Sequence, residues 1–192
     1  MKKIFNVLSV LLISIGLLGG SQASAQEFSA DMVNRVGKQT MTGKIYVSHD
    51  KVRMDMAESI MIIRSDKKIT YMVMPSQKMY MEHPIDLSKA PKVAKALVGE
   101  IERVSLGKEN VNGYDTEKFK VTYKENKKEI SVYQWIKDGQ FPIKVEAVDG
   151  SFSTEYKNLK VGSPSADLFE PPSGYTKMEM PNVKSLMGGF LK

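Results

Sequence analysis

Residues 51–83 read KVRMDMAESIMIIRSDKKITYMVMPSQKMYMEH, and within this stretch apolar side chains recur at every second position. Val52, Met54 and Met56 alternate with Lys51, Arg53 and Asp55, and the same spacing of two links Met61 to Ile63, Met72 to Met74 and Met79 to Met81. A period of two is the signature of a strand whose successive side chains point to opposite faces. Asp66-Lys67 and Pro75-Ser76 interrupt the pattern with residues suited to tight turns. The stretch is therefore read as four short strands, Lys51–Met56, Ser59–Arg64, Ile69–Met74 and Lys78–His83, folded as consecutive hairpins with the methionines on one side.

The same grammar extends outward. Strands are expected near Glu27–Asn34 and Thr40–Val47 before this stretch, and near Glu100–Leu106, Tyr114–Tyr123, Glu129–Ile136, Phe141–Val148 and Ser151–Val161 after it. Asn112-Gly113, Asn126-Lys127, Asp138-Gly139 and Asp149-Gly150 supply the turns between them. About eleven strands joined by hairpins make a sheet that must twist, and it must curl to protect an apolar face, so the expected architecture is a barrel or half-barrel. One segment departs from this period. Leu87, Ala90, Val93, Ala94, Leu97 and Val98 repeat at three and four, with Ser88 or Asp86 to cap the start, Pro91 in the first turn and Gly99 at the end. A helix there would turn Lys89, Lys92 and Lys95 outward and press its apolar stripe on the sheet. Val183, Leu186, Met187, Phe190 and Leu191 follow helical spacing more weakly, because Gly188-Gly189 disfavours a helix in this short C-terminal tail.

The N-terminus carries an address rather than a fold. Lys2-Lys3, the apolar run Ile4–Leu18, the break at Gly19-Gly20-Ser21-Gln22 and the small residues of Ala23-Ser24-Ala25 are ordered as a cleavable secretory signal, so residues 1–25 are expected to be removed and Gln26 to begin the mature chain. The run is too short for a spanning helix of roughly 20 apolar residues. Of 192 residues, 167 would remain as a single domain over residues 26–192, exported and soluble in the periplasm. The chain has no cysteine, which rules out disulfides, thiolate metal sites and a lipidated cysteine. It holds 28 basic and 22 acidic residues; the leader contains two of the lysines and no acid, leaving a net charge of +4 scattered along the mature chain. That pattern describes a solvated surface rather than a nucleic-acid footprint.

No catalytic constellation is visible. Gly37-Lys38-Gln39 and Gly43-Lys44-Ile45 lack the spacing of a phosphate loop, no Gly-x-Ser-x-Gly elbow occurs, and His49 and His83 have no nucleophile and orienting group assembled around them. Methionine stands out instead: twelve of thirteen lie beyond residue 25. Its long, unbranched, polarisable side chain lines surfaces that accept variable apolar shapes, though it also serves as ordinary core filler. Thioether and imidazole are soft-metal ligands, so Met79, Met81 and His83 on one strand face would also suit monovalent copper or silver. Aromatic pairs follow the strand period, Tyr133 with Trp135 and Phe152 with Thr154 and Tyr156, beside Phe141, Ile143 and Val145.

Several ordered motifs carry a family likeness. Gly43-x-Ile45-x-Val47, Val52-Arg53-Met54-Asp55-Met56, Ile62-Ile63-Arg64-Ser65-Asp66 and Tyr71-x-x-x-Pro75, closed by Asp138-Gly139 and by Ala166-Asp167-Leu168-Phe169-Glu170-Pro171-Pro172-Ser173-Gly174-Tyr175, resemble the periplasmic lipoprotein carrier LolA and its outer-membrane lipoprotein-sorting relatives. The resemblance implies a mainly β, α+β fold: an open antiparallel half-barrel with helices covering an apolar concave face that holds acyl chains. The carrier proper has a functional arginine in a Lys-Arg-Pro context just beyond the strand matching Ile45–Val47, where this chain has Ser48-His49-Asp50. That difference places it in a separate branch.

The resulting expectation is a non-enzymatic periplasmic carrier of lipid or lipoprotein acyl chains. Its ligand-binding set is Val52, Met54, Met56, Met61, Ile63, Met72, Met74, Met79 and Met81, covered by Leu97, with Trp135 added. No cofactor, resident metal or nucleic acid is expected. Partners would be lipid or lipidated protein, with inner- or outer-membrane proteins to hand it over or receive it, and the chain would act as a monomer. The alternatives are an envelope sensor or protein-interaction module on the same fold, or a soft-metal protein.

Overall fold

The structure is a computed structural model that describes residues 27–85, 100–125 and 128–179. The alternating segments form eleven strands at close to the expected bounds: β1 Phe28–Val36, β2 Gln39–Ser48, β3 Lys51–Met56, β4 Ile60–Arg64, β5 Ile69–Met74, β6 Met79–Pro84, β7 Glu100–Val111, β8 Tyr114–Glu125, β9 Lys128–Lys137, β10 Phe141–Ala147 and β11 Phe152–Val161. A short twelfth strand, β12 Thr176–Lys177, completes one open sheet in the order β12-β6-β5-β4-β3-β2-β1-β11-β10-β9-β8-β7. This is the LolA-like half-barrel. Two meanders, β1 to β6 and β7 to β11, meet where β1 pairs antiparallel with β11.

The turns use the residues their geometry demands. Between β7 and β8, Asn112 (φ 55°) and Gly113 (φ 80°) are both left-handed, the combination that matches a two-residue turn to the twist of its strands. The expected helix over Ser88–Val98, with Leu97, falls outside the described residues, as do the leader, the Asn126-Lys127 turn and the tail from residue 180.

Two features differ from the sequence expectation. Strand β7 continues past Leu106 to Val111 because Gly107, at φ 96°, absorbs a register shift against β8 and lets pairing resume at Lys118. The second is β12, which pairs parallel to β6 and makes an otherwise antiparallel sheet mixed. Two residues cannot show a period, so this strand had no pattern of its own to be read from.

What brings β12 into place is the segment after β11. A 3-10 turn, Ala166–Phe169, lies against β3 and β4 and drives Phe169, 1% exposed, into a cluster with Ile62, Tyr71 and Val73. These residues belong to the side of the sheet opposite the methionines, here called the outer face. Two arginines fasten the segment. Arg53 grips its own Asp55 (Nε to Oδ1, 2.5 Å) and donates Nη1 to the Leu168 carbonyl at 2.9 Å. Arg64 grips Asp66 (Nε to Oδ1, 2.8 Å), donates Nη1 to the Phe169 carbonyl at 3.2 Å and pairs with Glu170. Arg53 and Asp55 meet because residues two apart share a strand face, whereas Asp66 is returned to Arg64 by the turn that follows β4; each pairing leaves one guanidinium nitrogen over to bond a carbonyl.

Truncating Phe169 to Ala should cost about 3–5 kcal/mol, the usual range for an aromatic removed from a filled site, read from urea midpoints. The latch also predicts a pH dependence. The Arg64 guanidinium holds the Asp66 carboxyl below its ordinary value. Burial pushes Glu170 up, but hydrogen bonds from Lys67 and Arg64 outweigh it and leave that carboxyl depressed too. Depressed carboxylates contribute stability above their unfolded values and lose it as pH falls through the folded ones. Wild-type stability should therefore drop on acidification below about pH 5, and Arg64→Met should flatten that acid limb in urea titrations at successive pH values.

Candidate functional site

The opposite face, called inner here, is assembled by register. Cross-strand partners lie on one side of a sheet, and the pairs run Ile45 to Met54, Met54 to Met61, Met61 to Met72 and Met72 to Met81 from β2 to β6. A neighbouring row joins Val47 to Val52 and Val52 to Ile63, and at the other side Met74 faces Met79. Nine of the eleven expected residues, Val52, Met54, Met56, Met61, Ile63, Met72, Met74, Met79 and Met81, thus share one continuous face across four strands. Register also adds Met32, Ile45 and Met41 from β1 and β2, which sequence reading left out because they lie outside the methionine-rich stretch.

Burial is graded along this face. Met32, Ile45 and Met54 are fully enclosed, with Met54 at 0% exposure, and pack with Phe28, Val47, Val52, Met61, Phe141, Ile143 and Tyr156. Towards the edge, Met72, Met74, Met79 and Met81 are only half-buried. Gly43 sits between Met32 and Met56 in the ladder. A Cβ there would stand 2.2 Å from the Asp55 carbonyl oxygen, so only glycine lets β2 approach β3 this closely.

A band of buried polar side chains crosses the inner face. Asn34, Thr154 and Gln134 are all buried, and register aligns Asn34 with Thr154, Thr154 with Val145, and Val145 with Gln134. The Thr154 hydroxyl donates to Asn34 Oδ1 at 2.6 Å.

Trp135 is a correction. Alternation turns Val132 and Gln134 to the inner face and Tyr133 and Trp135 to the outer one, where Trp135 faces Lys118 and Lys144 in register. It is 4% exposed because those lysines roof it, their Nζ atoms 4.6 and 4.5 Å from the ring centroid, and its indole N–H donates to Glu109 at 2.8 Å. That hydrogen bond holds the Glu109 carboxyl below its ordinary value. Trp135 is thus an outer-face anchor, away from the methionines.

His83 does share a face with Met79 and Met81, opposite Thr70, Met72 and Met74. His49 occupies a left-handed position (φ 52°) in the turn between β2 and β3, and its Nδ1 lies 2.7 Å from Glu27 Oε1. Ser48 also bonds this carboxylate and, with His49, holds it below its ordinary value. Where the carrier proper has an arginine, this chain has an exposed histidine tied to a carboxylate. Among the described residues no three His, Asp or Glu side chains gather as metal ligands, and no helix is long and apolar enough to cross a membrane.

An open, curled sheet with an apolar inner face and a C-terminal segment latched outside defines the class of fold, a half-barrel. The chain belongs to the family described as a domain of unknown function, DUF4412, whose model matches residues 20–140. No curated protein is similar in sequence. Among solved structures, MucB aligns at TM-score 0.56 with 14% identity over 91% of this chain. The chain spans 65% of the length of that protein. MucB in complex with MucA(peri) aligns at TM-score 0.52 with 14% identity, over 81% of this chain and 57% of that one. LprF from Mycobacterium bovis aligns at TM-score 0.49 with 11% identity, over 88% of this chain and 97% of that one.

The gradient of burial predicts unequal responses to truncation. Met54→Ala should cost about 2–5 kcal/mol, the range for a large-to-small change in a filled core. Met72→Ala and Met81→Ala should cost clearly less by urea denaturation, because their side chains are already half in solvent. Gly43→Ala should destabilise by about 1–3 kcal/mol, as the added methyl forces β2 and β3 apart.

Proposed function

We propose that this chain is an exported, non-enzymatic carrier of the LolA-like class, in a branch distinct from the carrier proper, and that its inner face takes the acyl chains of a lipid or lipidated protein. The observation that carries the reading is the unbroken apolar ladder from β2 to β6, filled at Met54 and half-open at Met72, Met74, Met79 and Met81. Acyl burial supplies the driving force. Each buried methylene contributes about 0.8 kcal/mol, so roughly a dozen suffice for stable capture. Methionine suits this role because its flexible thioether adapts to chains of different length and unsaturation.

Export follows from the leader: cleavage after Ala25 leaves a single domain beginning at Gln26 that works in the periplasm as a soluble monomer. The carrier hands its cargo between membranes, and membrane proteins serve as donor and acceptor. A second reading places a protein partner on the same face. It is favoured by the likeness of fold to MucB, which has been solved with MucA(peri) bound.

Native mass spectrometry of protein purified from its own envelope separates the two. The carrier reading expects extra mass that organic solvent extracts as lipid, and uptake of a fluorescent fatty acid that Met74→Asp abolishes while the fold persists by circular dichroism. Wild-type protein that binds no fatty acid, phospholipid or acylated peptide would sink it.

A further inference from the structure

The inner face is divided. One buried cluster holds Phe28, Met32, Ile45, Met54, Ile143 and Tyr156, and a second holds Val121, Tyr123, Val132 and Val145, with Phe119, Ile130 and Phe152 packed against it. The boundary is legible along β11, where Tyr156 belongs to the first cluster, Phe152 packs on the second, and Thr154 lies between them on the same side. Directly across β1 from Thr154 stands Asn34, two residues from Met32. The step between the two apolar clusters is thus a polar pair.

That pair is incomplete. Asn34 is 2% exposed, and its amide oxygen accepts from Thr154 at 2.6 Å, yet among the described residues its amide nitrogen has no hydrogen-bond partner. Leaving a buried donor unmet is costly, and apolar residues of similar size would avoid that cost. Thr154 meanwhile locks the amide by its oxygen, which fixes the buried N–H group in the step between the two clusters.

We propose that Asn34 Nδ2 is the docking donor for an ester carbonyl of the bound lipid, with Thr154 as the residue that positions it. This rests on the acyl-chain reading above and deepens it: the ligand is an acyl ester, and not a free hydrocarbon chain. Its chain lies along the methionine cluster. Its carbonyl oxygen stops at the polar step, where it accepts the hydrogen bond that Asn34 Nδ2 makes to no described residue. Diacyl phospholipids and the diacylglyceryl group of lipoproteins both offer this carbonyl.

The test compares two ligands of equal chain length, methyl palmitate and hexadecyl methyl ether, by displacement of a fluorescent apolar dye from full-length mature protein. Wild type should hold the ester about 5- to 10-fold more tightly, the worth of one hydrogen bond. Asn34→Leu should abolish that preference while leaving affinity for the ether unchanged, and its ligand-free melting temperature should stay close to that of wild type, because losing the orphaned amide donor offsets leaving the Thr154 hydroxyl without its acceptor. Thr154→Val, a second variant that keeps Asn34, should narrow the preference by releasing the amide. Competition with dioleoylphosphatidylglycerol and with a diacylglyceryl-cysteine peptide then identifies the source by the tighter ligand. Equal affinity of wild type for ester and ether, or equal loss of both in Asn34→Leu, would overturn the role of Asn34 while the carrier reading stands. Failure of wild type to bind either ligand would remove the carrier reading itself.

Discussion

Alternation of side chains across paired strands is the constraint on which everything else in this molecule rests. Because the register runs without a slip from β2 to β6, every residue's parity decides its environment for the whole wing. Met54 and Arg53 are neighbours in sequence, but one is sealed in the inner core and the other reaches across the outer face to hold a carbonyl of the C-terminal segment. A slip of one residue would exchange these roles and turn Arg53 and Arg64 away from the Leu168 and Phe169 carbonyls into the apolar inner face, a penalty far larger than any single contact in the sheet.

The two faces solve different problems. On the outer side the sheet must be covered where it is apolar, and the chain does this with its own end: Phe169 fills the Ile62, Tyr71 and Val73 cluster, and Arg53 and Arg64 satisfy carbonyls that the 3-10 turn leaves free. Holding that segment in place also delivers Thr176–Lys177 to the edge of β6, where pairing closes off hydrogen-bonding groups that would otherwise invite another strand. On the other wing, Lys118 and Lys144 cover Trp135, so charged side chains serve there as lids over aromatic surface.

The inner face is where the protein departs from a plain core. A face built only for stability would bring its methionines to full burial and carry no unmet polar atom. Here the ladder passes from enclosed Met54 to half-buried Met72 and Met81, and a polar band crosses between two apolar clusters. These are the features on which the proposed carrier role rests.

Much of this was determined by the sequence alone. Spacing of two between apolar residues set the eleven main strands and put nine of the expected residues on one side, because strand parity is a local property that needs no knowledge of partners. The Arg53-x-Asp55 and Arg64-x-Asp66 pairs were visible too, although their parity, opposite to Met54 and Ile63, was the only sign that they belong to the outer face. Tertiary structure alone decided the rest. Whether Trp135 joined the methionines depended on which side of β9 turned inward, and that follows from pairing with β8 and β10 rather than from Tyr133 and Trp135 themselves. The parallel β12 exists only because Phe169 anchors the preceding segment. The meeting of Asn34 with Thr154, 120 residues apart, required β1 to pair with β11, a contact between the two ends of the fold that no local period encodes.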